Sequence, residues 1–328
     1  DRVGDVWRVP YEERATQAQT WAQTHGIKPA NTDSPRLCLL AIDVQNTFCI
    51  PDFELFVGGT SGQGAVDDTR RLCEFVYRNL GQITEIVPTM DTHRAVQIFH
   101  AAFWIDGDGK MPAPMTMVEL DDVRSGRWRV NPAIVPSLGV PLEQLEAFAL
   151  HYVQRLSEDG KYPLTVWPYH SMLGGIGHSL VSAFEEACFF HILARQTQTR
   201  FELKGSNPLT ENYSVLRPEV LNAPTGQPVA KKNQRLIQHL MTFDAVAIAG
   251  QAKSHCVAWT IDDFLSEIQQ VDATLASKIY LLDDCSSPVV VPGVVDFSAT
   301  ADAAYQRFAA AGMTIIQSTS PISTWLPR

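Results

Sequence analysis

Residues 244–265, DAVAIAGQAKSHCVAWTIDDFL, decide how the rest of the chain is read. The first seven are almost wholly apolar, as a short strand covered on both faces should be. Gly250 then opens a turn, Cys256 follows, and an amphipathic helix pattern starts at once. A buried strand that passes through a turn into a helix is the building unit of a parallel sheet sandwiched by helices. The sulfur of Cys256 falls at or near the helix start, where unpaired N–H groups and the dipole favour a thiolate and lower its pKa. Taken alone, Cys256 reads equally well as an ordinary buried cysteine.

Five more segments share the short apolar character: LCLLAID (37–43), ITEIVPTMD (83–91), RFELKG (200–205), KIYLLDD (278–284) and MTIIQS (313–318). Helical patterns lie between them at 67–80, 178–196, 233–241, 257–270 and 299–311. The expected fold is therefore α/β, a three-layer α/β/α sandwich around a mostly parallel six-stranded sheet of Rossmann-like type. In such folds ligands sit beyond the carboxyl ends of the strands. The rhythm breaks between His100 and Trp167. A structureless loop of that length is improbable, so 101–165 is read as an insertion with structure of its own, including a helix over 141–160, and as a candidate lid. Residues 1–35 read as an N-terminal arm with one helix, and 36–328 as the main domain.

Composition narrows the function classes. Hydrophobic residues make up 45% and charged residues 19% of the 328, which excludes a disordered chain. A net charge of −10 argues against a nucleic-acid surface and for a small-molecule partner. No apolar run is long enough for a membrane span, and DRVGDVWRVPYEERATQ lacks the apolar region of a signal peptide. The cysteines at 38, 49, 73, 188, 256 and 285 form no C-x-x-C pair, a pattern that suits the cytoplasm.

Polar groups cluster after the strands: Asp43, Asp91 with His93, Lys204, and the turn to Cys256. A nucleophilic thiol needs a proton acceptor, and a partly buried carboxylate such as Asp43 suits that task. Lys204 supplies an ammonium for the thiolate and a developing oxyanion. Asp91 and His93 are two apart, so in extended chain both point to one side. With one distant histidine they make an Asp and two His set for a divalent ion with open positions, zinc or iron, with manganese a further option. The competing view makes each of these a solvated strand end or a turn cap. His25, His151, His178, His191 and His239 are given surface or core roles, and His255, read as pointing elsewhere, none.

The order Asp in AIDVQNTF, Asp-x-His in TMDTH, His in WPYH, Lys in ELKG and Cys in AGQAKSHCV resembles the nicotinamidase branch of the isochorismatase-like cysteine hydrolases. The likeness runs from about residue 36 to 320, leaving out the insertion. It implies a catalytic triad of Asp43, Lys204 and Cys256, and an oxyanion hole from the N–H groups of Ala252 and Cys256 after a cis Gln251–Ala252 peptide. It implies that His170 is the distant metal ligand beside Asp91 and His93, with His100 as an optional further one. Phe48 and Trp167 match positions that sandwich a flat pyridine ring. The implied activity is hydrolysis of a heteroaromatic carboxamide to the acid and ammonia through a thioester, and homo-oligomers are usual in the superfamily.

Two other readings stay open. One is a cysteine hydrolase of the same superfamily acting on a different amide or ureide, since the insertion can rebuild one wall of the pocket. The other is a non-catalytic member that keeps the fold.

Overall fold

The structure is a computed structural model that describes residues 2–158 and 162–326. Six strands form its central sheet: β1 (Leu37–Ile42), β2 (Glu85–Asp91), β3 (Glu202–Lys204), β4 (Ala245–Gly250), β5 (Ile279–Leu282) and β6 (Thr314–Ile316). Their spatial order is β6-β5-β4-β1-β2-β3 and every pairing is parallel. All six anticipated strands exist, and the sheet is wholly rather than mostly parallel.

The near-continuous apolar runs follow from burial on both faces. Leu37, Leu39 and Ala41 of β1 face one layer of the core, together with helices Gly64–Arg78 and Ser182–Arg195. Cys38, Leu40 and Ile42 face the other, against helices Gln234–Met241, Ala258–Val271 and Ser298–Ala310. Alternate side chains of a strand point to opposite faces, so both sets must be apolar. Each leucine or isoleucine among them contributes about 1.5–3 kcal/mol by leaving water.

The helix anticipated from residue 178 begins only at Ser182. The preceding residues are engaged otherwise: Val181 N–H donates to Val44 O (3.0 Å) and Asn46 N–H to Ser179 O (2.9 Å). That pairing fixes the chain just after β1, which carries Asp43.

The N-terminal helix Tyr11–Thr24 packs on Ser182–Arg195. Residues 101–165 carry short strands, turns and a helix, Leu142–Glu158; the expected end of that helix at 159–160 lies outside the described residues. Phe103, Trp104, Leu145, Phe148, Tyr152 and Leu164 form a separate apolar cluster there. Trp167 packs against this cluster and against the main core. Among the described residues no helix is long and apolar enough to cross a membrane.

The strand order places a reversal between β1 and β4, the position at which open parallel sheets form a crevice. Asp43 leaves β1 and Cys256 follows β4, so the two best nucleophile and base candidates meet at this point. Gly250 makes the approach possible. Its φ is +117°, and a Cβ there would lie 1.9 Å from Ile42 O. The next residue, Gln251, instead donates its N–H to that oxygen at 2.8 Å.

Candidate active site

Asp43 is fully buried, with φ of 47°, a left-handed conformation that aspartate tolerates better than most residues. Its Oδ1 accepts from the Thr89 hydroxyl at 2.6 Å, and Oδ2 lies 3.0 Å from Lys204 Nζ. Lys204 Nζ also donates to Asp91 Oδ1 (2.9 Å) and Asn212 O (2.9 Å), and sits 3.6 Å from Cys256 Sγ. Lys204 Nζ thus stands between the Asp43 carboxylate and the Cys256 sulfur. Three residues that are 161 and 52 apart in sequence, 43, 204 and 256, thus converge on one buried centre.

The electrostatics follow from burial set against this pairing. Burial raises the Asp43 carboxyl above its usual range, with Lys204 opposing and Asp91 adding to the rise. Burial alone would lower Lys204, but Asp43 and Asp91 outweigh it and keep the ammonium charged. Burial pushes the Cys256 thiol well above its ordinary value, Lys204 opposes this, and the two carboxylates add to it. The thiolate expected from the helix start is therefore not the resting form: desolvation and two nearby carboxylates win over the dipole. Cys256 rests as a thiol beside the ion pair of Asp43 and Lys204.

Cys256 lies in a π-helical turn, Lys253–Val257, that precedes the regular helix. The Gln251–Ala252 peptide is cis, and Ala252 and Cys256 both line the cavity. His255 was read from the sequence as pointing elsewhere. It lines the same cavity, because the wide turn carries neighbouring side chains inward, and it stacks on Tyr162 with ring centroids 4.6 Å apart. Burial lowers His255 to about 3, so it stands there as a neutral ring.

Asp91, His93 and His170 bring ligand atoms within 4.8 Å of one another. His93 Nδ1 donates to Gly205 O (3.1 Å) and His170 Nδ1 to Pro168 O (2.7 Å), since a carbonyl only accepts. Both Nε2 atoms are left facing Asp91 Oδ2, at 2.7 and 3.5 Å. A ring lone pair facing a carboxylate oxygen needs a cation or a proton between them. The buried charge points the same way, for two carboxylates here face one ammonium. Burial would raise Asp91, but His93 and Lys204 outweigh it and hold its carboxyl well below the usual range. These residues fit a divalent ion, with carbonyls orienting the rings as such sites require.

His100 stands beside this group, its ring centroid 5.7 Å from that of His93. Its Nδ1 donates to Arg94 O (3.1 Å), and its buried Nε2 has no hydrogen-bond partner. Burial, with His170 and His93, lowers it to about 3. It does not join the 4.8 Å set.

Phe48 and Trp167 both line the cavity, Phe48 with its ring 5.8 Å from that of His170. Sequence reasoning missed Glu211, whose Oε1 accepts the Trp167 indole N–H at 2.7 Å. Burial raises its carboxyl well above the usual range, Glu219 adds to the rise, and Trp167 opposes it. Glu211 lies in a long stretch without periodicity, so only its nearness to Lys204 marked it.

No protein-family model matches the chain, and no curated protein matches it. Among solved structures it is similar to a nicotinamidase/pyrazinamidase of Acinetobacter baumanii, at 19% identity over 87% of this chain and 97% of that one, with a TM-score of 0.51. It is similar also to the yeast nicotinamidase Pnc1p bound to the inhibitor nicotinaldehyde, at 16% identity over 86% and 99%, again with a TM-score of 0.51. The chain has the fold of these nicotinamidases.

Proposed function

We propose that the protein is a metal-dependent cysteine amidohydrolase that converts a carboxamide to the acid and ammonia. The observation that carries this is the buried meeting of Asp43, Lys204 and Cys256, with the ammonium 3.0 Å from the carboxylate and 3.6 Å from the sulfur. Asp43 accepts the Sγ proton as sulfur attacks the carbonyl carbon. The Lys204 ammonium faces the sulfur and offsets the charge that develops there. The backbone N–H groups of Ala252 and Cys256 serve the tetrahedral oxygen. Asp43 returns its proton to the departing nitrogen and ammonia leaves; Asp43 then draws a proton from the water that attacks the thioester and passes it to the Cys256 sulfur as the C–S bond breaks and the acid is released.

Asp91, His93 and His170 would hold the divalent ion, zinc or iron, with His100 beside them. When bound, it supplies positive charge and open positions for a substrate nitrogen or oxygen. Phe48 and Trp167 flank the planar part of the substrate.

The test is ammonia release by purified protein loaded with divalent metal, across nicotinamide, pyrazinamide, benzamide and aliphatic amides. Cys256→Ala should lower turnover by about 10³-fold or more with an unchanged circular dichroism spectrum. Full activity in that variant would overturn the nucleophile assignment. A wild-type protein that hydrolyses none of these amides would favour the non-catalytic reading.

A further inference from the structure

The cavity that ends at Cys256 has a volume of about 560 Å³, in the range that encloses a drug-sized ligand. A one-ring carboxamide seated at Cys256 would leave much of this space to water against apolar walls. The polar groups gather at the inner end, around Asp91, His93, His170 and Cys256. The less buried part of the lining is mostly apolar, with Phe53, Leu55, Phe56, Val289, Val290 and Val291 beside Glu54.

The rim continues this character into solvent. Val291 and Val294 belong to the turn of a small antiparallel hairpin, Val290–Val291 with Val295–Asp296, closed by Val294 N–H to Val291 O at 3.0 Å. A turn tip in water ordinarily carries polar residues, yet Val294 is 74% exposed and lines the cavity mouth. Met115, from the 101–165 segment, lines it too, at 41% exposure. Its backbone has φ of 69°, uncommon for a side chain of this type, and its N–H is tied to Val166 O at 2.6 Å, next to Trp167. Among the described residues no Lys or Arg lines the cavity, and Glu54 and Glu211 do, so an anionic substituent finds no partner in the outer part.

We infer that the substrate is a neutral carboxamide carrying an extended apolar substituent. Its amide lies at Cys256 and its apolar end reaches the Met115 and Val294 rim. This rests on the amidohydrolase reading and narrows it to a substrate class larger and more apolar than a bare pyridine carboxamide.

The experiment uses the full chain loaded with divalent metal and a series with a constant reacting group: benzamide and its para-ethyl, para-butyl and para-hexyl derivatives, with nicotinamide alongside. If the inference holds, kcat/KM for ammonia release rises about fourfold per methylene until the substituent passes the rim. In Met115→Asp and Val294→Asp the rise per methylene shrinks, most for the longest members. A flat or falling series, with benzamide or nicotinamide still hydrolysed, would overturn the inference and leave the amidohydrolase reading standing. Ammonia release from no member, nicotinamide included, would overturn that reading and this one with it. An unchanged rise in both rim variants would overturn the placement of the apolar end.

Discussion

Lys204 Nζ lies 2.9 Å from Asp91 Oδ1, so the ammonium that faces the sulfur is shared with a carboxylate of the Asp91, His93 and His170 group. The two halves of the site are one electrostatic unit. Removing the ammonium leaves Asp43 and Asp91 as buried carboxylates without their common partner. Lys204→Met should therefore destabilise the fold by about 3–5 kcal/mol, read as a lower midpoint in urea, as well as suppress turnover. A variant as stable as the wild type would show that the carboxylates find compensation elsewhere.

In the proposed reaction Asp43 sets the acid side of the pH profile. It must be ionised to accept the thiol proton, and burial places its pKa above the ordinary 3.8. Activity should rise with pH through an apparent pKa above that value. In Asp43→Asn, kcat should fall by about 10²–10⁴-fold and this limb should vanish. The measurement is kcat/KM against pH in both proteins.

Gly205 is the close neighbour of Asp91 and His93, the proposed metal ligands. Its φ is +83°, and a Cβ would lie 2.6 Å from His93 Cε1 and 2.8 Å from Asp91 Oδ1. Gly205→Ala should push both ligands aside and weaken metal affinity by about 10–100-fold. Elemental analysis after dialysis against a weak chelator reads this directly. Metal retained at the wild-type level would place the ion elsewhere.

Far from the site, fully buried His191 donates from Nε2 to Ile83 O at 2.8 Å. Burial lowers it to about 4; the Ile83 carbonyl opposes that fall and Arg195 adds to it. The folded pKa lies below the unfolded 6.5, so the unfolded chain binds the proton first as pH drops. The contribution is present above 6.5 and lost between 6.5 and 4, by about 3 kcal/mol at most. His191→Gln should show a shallower loss of stability across that window, measured by urea titrations at several pH values. Parallel curves for the two proteins would contradict the assignment.

The four inner strands β1, β2, β4 and β5 were legible because burial on both faces forces largely apolar runs, and a strand end is where such a run meets polar residues. Asp43 and Asp91 were visible for that reason, Lys204 as the end of a short edge strand, and Cys256 through the strand, turn and helix pattern that follows β4. Glu211 and His255 were not. Glu211 is in the cavity wall because Trp167 and the insertion fold against it, a tertiary event with no local period. His255 required the width of the turn at Lys253–Val257, which a regular helical count does not supply. The thiol's resting state was misread for a related reason: helix position is local and readable, whereas full desolvation beside two carboxylates belongs to the assembled core. The apolar VVVPGVV segment at 289–295 carried no functional signal in one dimension and becomes a cavity rim only once the sheet is built.

The segment 101–165 departs and returns at adjoining points, for Trp167 N–H donates to Phe99 O at 2.8 Å. Its ends are tied to each other rather than to distant parts of the sheet. Closing a loop costs free energy that grows only slowly with its length, so residues can be gained or lost there with little consequence for the strands that hold the reactive groups. Selection for a new substrate can thus act on the length and sequence of this excursion while the chemistry stays where it is.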